Sequence, residues 1–176
     1  MRWLTGVATA LVLAACAASS TPGTVATAPA RDQAGAPRDA FPATVVRVVD
    51  GDTFLARRHG RELRVRLIGV DAPESVKPDA PVECYGPEAS RALHGLLPEG
   101  SMVRGAYEDG GETDQFGRQL WDVWLPDGRF LQAVLVTRGA VDARLYRPQH
   151  EYAGLLARLE DRARADGRGL WGRCPG

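Results

Sequence analysis

The sequence predicts an α+β domain, mainly β, arranged as a small antiparallel barrel of five strands with about three helices around it. Three observations carry that expectation. β-branched and alternating runs crowd the front of the domain, a helical pattern follows the third of them, and two more helical patterns lie near the end. Periodicity alone leaves other α+β arrangements open.

The runs "ATVVRVVD" (43–50) and "DTFLARR" (52–58) are β-branched, with Asp50, Gly51 and Asp52 as a hairpin signal between them. "RELRVRLIGV" (61–70) alternates, with Leu63, Val65 and Leu67 on one side and Arg64 and Arg66 on the other; Gly60 turns the chain before it. "GPEASRALHGLLPEG" (86–100) reads as a helix. Pro87 suits its first turn, Ala89, Ala92, Leu93, Leu96 and Leu97 share a face, and Pro98 stops it. Strands follow at "SMVRGAY" (101–107) and "QLWDVWL" (119–125). A second helix fits "RFLQAVLVTRG", closed by Gly139. The last, within 148–167, places Tyr152, Leu155, Leu156, Leu159 and Ala163 on one stripe.

Ahead of the domain the chain changes character. Arg2 and the short apolar run 4–13 form a signal-peptide pattern over residues 1–15, too short to span a bilayer as a helix. "LAAC" resembles the lipobox of bacterial lipoproteins. It implies lipidation of Cys16 and a membrane-anchored protein on the extracytoplasmic side, or a secreted one if Cys16 stays unmodified. Residues 16–40 then read as a tether, since 17–40 hold eight alanines, three prolines and one large aliphatic. The folded domain is expected over 41–176. With Cys16 set aside, Cys84 and Cys174 remain, and an oxidising compartment favours a disulfide between them.

Lys+Arg and Asp+Glu both number 22, so bulk charge points to no polyanion-binding class, and Lys77 is the sole lysine. From residue 41 onward the domain carries 19 basic and 20 acidic side chains. His59, His94 and His150 lack zinc-site spacing, and "DGDT" lacks the later ligands of an EF-hand loop.

Four stretches carry the chemistry: "DGDT" (50–53), "RLIGVDAPE" (66–74), "CYGPEAS" (84–90) and "TDQFGR" (113–118). In order and spacing they resemble the staphylococcal nuclease (thermonuclease) family. That resemblance implies an OB-fold barrel and Ca²⁺-dependent hydrolysis of DNA or RNA phosphodiesters that leaves 3′-phosphate ends. It implies Asp52 and Asp71 as calcium carboxylates and Ala72 as a backbone-carbonyl ligand. It also implies Glu74 as general base, and Arg66 and Arg118 as phosphate-binding arginines. Asp50 stands behind the ligands or serves the turn; Phe116 replaces a tyrosine that touches the nucleotide, which keeps stacking without the phenolic hydrogen bond, and Tyr146 matches another base-pocket tyrosine. Arg144 replaces an aromatic residue of the family pattern. The chain is expected to act as a monomer on a nucleic-acid substrate. A non-catalytic OB-fold binding module on a lipid tether is the alternative, and a calcium-dependent scaffold a weaker one.

Overall fold

The computed structural model describes residues 1, 35–75, 81–107, 113–144 and 150–174. Five strands close into a barrel in the order β1-β2-β3-β5-β4, the OB-fold. They are β1 (Phe41–Val48), β2 (Thr53–Arg58), β3 (Arg61–Leu67), β4 (Met102–Tyr107) and β5 (Gln119–Trp124). The helices are α1 (Gly86–Leu96), α2 (Leu131–Thr137) and α3 (Ala153–Ala165), followed by a single turn, α4 (Leu170–Arg173).

The barrel is mixed rather than antiparallel, because β3 and β5 pair in parallel. A parallel pair needs a long crossover, and the segment holding α1 and β4 supplies it. Closure leaves no free sheet edge. It also brings the start of β5 beside the end of β3, with Gln119 opposite Val65 and Leu120 opposite Arg66.

Phe54, Val65, Leu67, Trp121 and Val123 are buried and form the centre of the core. Trp121 meets the edges of Phe54 and Phe41. α2 packs on α3 and β5 and buries Leu135 and Val136, while α3 buries Leu155, Leu156, Leu159 and Ala163 as its stripe requires. α1 buries Ala89, Leu93 and Leu97, with Ala92 and Leu96 half-buried.

Several expectations change at the edges of elements. Ala40 is buried and its carbonyl accepts from Arg104 Nη2, while Ala36 packs on the core. The end of the supposed tether therefore belongs to the folded unit, which begins a few residues before 41. Gly139 has φ +63 just beyond α2, as a helix terminator should. The helix over 148–167 proves shorter, running from Ala153 to Ala165, and α4 is too short for its periodicity to announce it.

Cys84 and Cys174 form a disulfide across 90 residues, tying the C-terminal turn to the segment ahead of α1. Among the described residues no helix is long and apolar enough to cross a membrane.

Candidate active site

The loop between β1 and β2 does not use its glycine as the sequence implies. Gly51 does not have the positive φ of a type I′ turn; instead its α-carbon lies against two neighbours. A β-carbon there would stand 2.6 Å from Ala72 Cβ and 2.8 Å from Ala89 Cβ. The missing side chain thus lets the 70–74 loop and α1 close over residues 50–52. Asp50 serves the turn, its Oδ1 accepting the Asp52 N–H at 3.0 Å. The hairpin with positive φ is the next one, at His59 and Gly60.

Asp52 ends that loop under cover. Its Oδ2 accepts the Ala72 N–H at 2.7 Å and faces Arg66 Nη1 at 2.9 Å, while Oδ1 accepts the Thr53 hydroxyl. Its carboxyl is raised to about 7 in all, because burial and then Asp50, which push it up, outweigh Arg66 and the Ala72 and Thr53 donors, which pull it down.

Arg66 is buried although Arg64, its partner on the same strand face, is exposed. The 70–72 loop folds over that end of β3 and covers it. Arg66 Nη2 donates to Asp71 Oδ1 at 2.6 Å, and Nη1 donates to the carbonyls of Val70 and Leu67. One guanidinium thus holds two carboxylates from different loops. Asp71 is fixed from its other side by paired backbone hydrogen bonds with Asp142. Arg144 Nη2 approaches Asp71 Oδ2 at 3.6 Å and Asp142 Oδ2 at 3.3 Å.

Glu74 lies three residues beyond Asp71 and is fixed from the α1 side. Its N–H donates to Glu83 Oε2 and its carbonyl accepts the Glu83 N–H, both at 2.9 Å. Its Oε1 accepts the Ser75 N–H. Gly86 opens α1 without a side chain because a β-carbon would fall on the Glu74 carbonyl oxygen.

Arg118 sits where β5 enters the sheet beside β3. Its Nε donates to Asp114 Oδ2 at 2.7 Å, and Asp114 Oδ1 accepts the N–H groups of Phe116 and Arg118. Burial alone would raise the Asp114 carboxyl, but these donors and the Arg118 charge outweigh it and hold it below the usual range. Asp114 engages one edge of the guanidinium. Its two terminal nitrogens make no hydrogen bond or ion pair among the described residues, and they present the fork that suits phosphate.

Among the described residues no group of three or more His, Cys, Asp and Glu side chains stands ready to hold a metal. Asp52 and Asp71 do offer oxygen donors from two rigid loops, with Ala72 hydrogen-bonded beside them. Two carboxylates that a single buried cation already bridges suit an ion that completes its shell with carbonyl and water oxygens. The residues fit.

Residues 64–173 match the family model described as staphylococcal nuclease homologue. The chain belongs to the staphylococcal nuclease family. It is 38% identical over 127 residues to a thermonuclease of Staphylococcus hyicus, covering 72% of this chain and 73% of that protein. It is 40% identical over 129 residues to a thermonuclease of Staphylococcus intermedius, covering 73% and 75%. Endonuclease YncB of Bacillus subtilis (strain 168) is 32% identical over 131 residues, 74% of this chain and 61% of that protein.

Within this member of the family, Asp50, Asp52, Arg66, Asp71 and Ala72 are gathered into one network. Glu74 is on the same loop, and Arg118 borders β3. Phe116 is 73% exposed, with the Arg118 guanidinium carbon 5.5 Å from its ring centre. Tyr146 and Cys16 lie outside the described residues. Two supporting residues escaped the sequence reading. Asp114 was detectable, since an Asp four residues before an Arg across a Gly turn forms such a loop. Glu83 gave no local signal, because its partner lies nine positions away across residues 75–82.

Proposed function

We propose that this protein is a calcium-dependent nuclease that hydrolyses phosphodiester bonds of DNA or RNA and leaves 3′-phosphate ends. One observation carries the reading: Asp52 and Asp71 converge on Arg66 at the loop that bears Glu74, in a chain whose relatives are named thermonuclease and endonuclease. The bound cation would be held by Asp52, Asp71 and the Ala72 carbonyl, and it would supply Lewis-acid neutralisation of phosphate charge.

The chain's own residues do the rest. Arg118, braced by Asp114, grips the phosphate with its outer fork. Arg66 stabilises charge on the phosphoryl oxygens once its carboxylates have another cation to answer. Glu74 accepts the proton of the attacking water, and Glu83 and Gly86 fix the backbone that carries it. Phe116 stacks on a base beside the scissile bond, and Tyr146 contributes a second nucleotide contact. The protein works as a monomer.

The place of action is also part of the proposal. The Cys84–Cys174 disulfide supports an oxidising compartment, in agreement with an exported lipoprotein anchored through Cys16. The test pairs chemistry with place. Glu74→Gln should lose turnover by roughly 10²-fold or more with cation binding retained, and Cys16→Ser should move activity from the membrane fraction to the medium. A Glu74→Gln protein with wild-type rate would remove the assigned base, and wild-type activity found chiefly in the medium would remove the anchor.

A further inference from the structure

The tip of the β2–β3 hairpin carries charge that the fold does not use. Residues 57–64 hold four arginines and one glutamate in a chain of zero formal net charge. Arg58 and Arg61 face each other directly across the strands, an arrangement that costs stability when both are charged. Arg91, Arg129, Arg164 and Arg168 each pair with a carboxylate, while Arg47, Arg104 and Arg138 pair with none among the described residues, so what marks the hairpin is four such arginines within eight residues. Among the described residues, Arg57, Arg58, Arg61 and Arg64 form no ion pair.

Arg58 is nevertheless held in place. Its guanidinium lies 3.8 Å over the Phe41 ring, and Nη1 donates to the Tyr107 hydroxyl at 3.4 Å. That hydroxyl donates to Gln119 Oε1 at 2.9 Å. Arg58 Nε is buried without a hydrogen-bond partner among the described residues. These side chains line a groove of about 370 Å³ formed by Arg58, His59, Arg61, Leu63, Tyr107 and Gln119. Gln119 directly follows Arg118, but neighbouring residues of a strand face opposite sides of the sheet. The groove therefore opens on the side that carries Leu63 and Val65, away from Arg66, and a nucleic-acid strand must pass around the hairpin edge to reach it. Arg66 and Arg61 lie about 17 Å apart along β3 at the usual strand rise and on its opposite faces, so a nucleic-acid strand needs at least roughly five stacked nucleotides to engage both.

We infer that this groove is a second phosphate-binding subsite, which holds the flank of a single nucleic-acid strand several nucleotides from the bond cut beside Arg118. The inference rests on the nuclease reading for the identity of the strand. It gives the opposed arginines a reason to exist, since a phosphate between them converts repulsion into a shared ion pair. It also supplies local grip on a polymer to a domain that carries no net basic charge.

The test measures binding apart from cutting. Fluorescein-labelled dT20 and a labelled trinucleotide are titrated by anisotropy in chelator, with the purified chain and its Arg61→Gln and Arg61→Glu variants. Arg61 is exposed, and a melt confirms that the variant folds. Arg61→Gln should weaken dT20 binding roughly tenfold and lower the salt slope by about 0.7. Arg61→Glu should weaken it further, and trinucleotide binding should stay unchanged. In calcium, KM for dT20 should rise while kcat holds. Equal dT20 affinity for wild type and Arg61→Glu would overturn the subsite, as would an equal loss on the trinucleotide. So would heparin binding that depends on Arg61 in a protein to which dT20 does not bind. Failure of the nuclease reading looks different: no hydrolysis by any form in calcium, with the Arg61 effect on dT20 binding intact.

Discussion

Replacing Arg66 with methionine keeps much of the side-chain volume and removes the one charge that Asp52 and Asp71 share. Both the Arg66 and Asp52 side chains are only 9% exposed, so Asp52 loses its counter-charge under cover. In melts above about pH 8 its carboxyl, already raised to about 7 with Arg66 present, must stay unpaired or take up a proton. The carbonyls of Leu67 and Val70 lose a donor as well. Removing one partner of a buried ion pair costs about 3–5 kcal/mol. For a domain of this size that corresponds to a fall in Tm of roughly 10–20 °C. A cation bound between the carboxylates replaces the lost charge, and ligand at a hundred times its Kd contributes about 2.7 kcal/mol. Calcium should therefore raise the Tm of Arg66→Met by more than it raises that of wild type. The assay is a pair of thermal melts by circular dichroism, in chelator and in excess calcium, for both proteins. A Tm within 3 °C of wild type in chelator, or an equal calcium shift in the two, would refute the view that Arg66 holds the place of a cation.

Asp114→Ala should lower kcat about tenfold or more while calcium binding persists, because Arg118 loses the side chain that aims its fork. In the wild type, Asp114 should titrate below the usual carboxylate range by NMR, and Arg118→Met should raise it. Its folded value is depressed, so the contribution of this contact to stability is present above the usual range and lost as pH falls through the lower value. Gly51→Val should destabilise the fold by about 1–3 kcal/mol in urea titration and weaken activity, since its side chain meets Ala72 and Ala89. Glu83→Ala should reduce kcat more than KM by freeing the Glu74 backbone, and rapid kinetics on a short oligonucleotide would show it. Reducing the disulfide, one residue from Glu83, should cost up to about 5 kcal/mol of stability by the chain-entropy model. It should also impair turnover, as an activity assay before and after reduction would show.

Local pattern made most of the barrel legible. Alternation at 61–67, the β-branched run 43–48 and the α3 stripe each mark a buried face that the structure keeps. What escaped depends on contacts distant in sequence. The parallel β3–β5 pairing is set by barrel closure, which no strand encodes alone. Alternation put Arg66 on the open face with Arg64, but a loop that arrives only in three dimensions covers it. Gly51 was read by the commonest role of Asp-Gly, although close approach of Ala72 and Ala89 governs it instead. Ala36 and Ala40 are too small for hydropathy to signal that they dock. The candidate residues Asp52, Arg66, Asp71, Glu74 and Arg118 are nameable from sequence because four short motifs keep family spacing. That Asp52 and Asp71 share one guanidinium is not, since it depends on the depth of burial.

The central claim is that Asp52 and Asp71 bind the calcium required for phosphodiester hydrolysis assisted by Glu74. The most direct measurement follows cleavage of one labelled oligonucleotide by the purified protein in calcium, in magnesium and in chelator, alongside Asp52→Asn. Cleavage to 3′-phosphate ends is expected in calcium, falling steeply in magnesium, which demands octahedral geometry, and absent in chelator and in Asp52→Asn. Equal turnover in magnesium and calcium, or undiminished cleavage by Asp52→Asn, would contradict it.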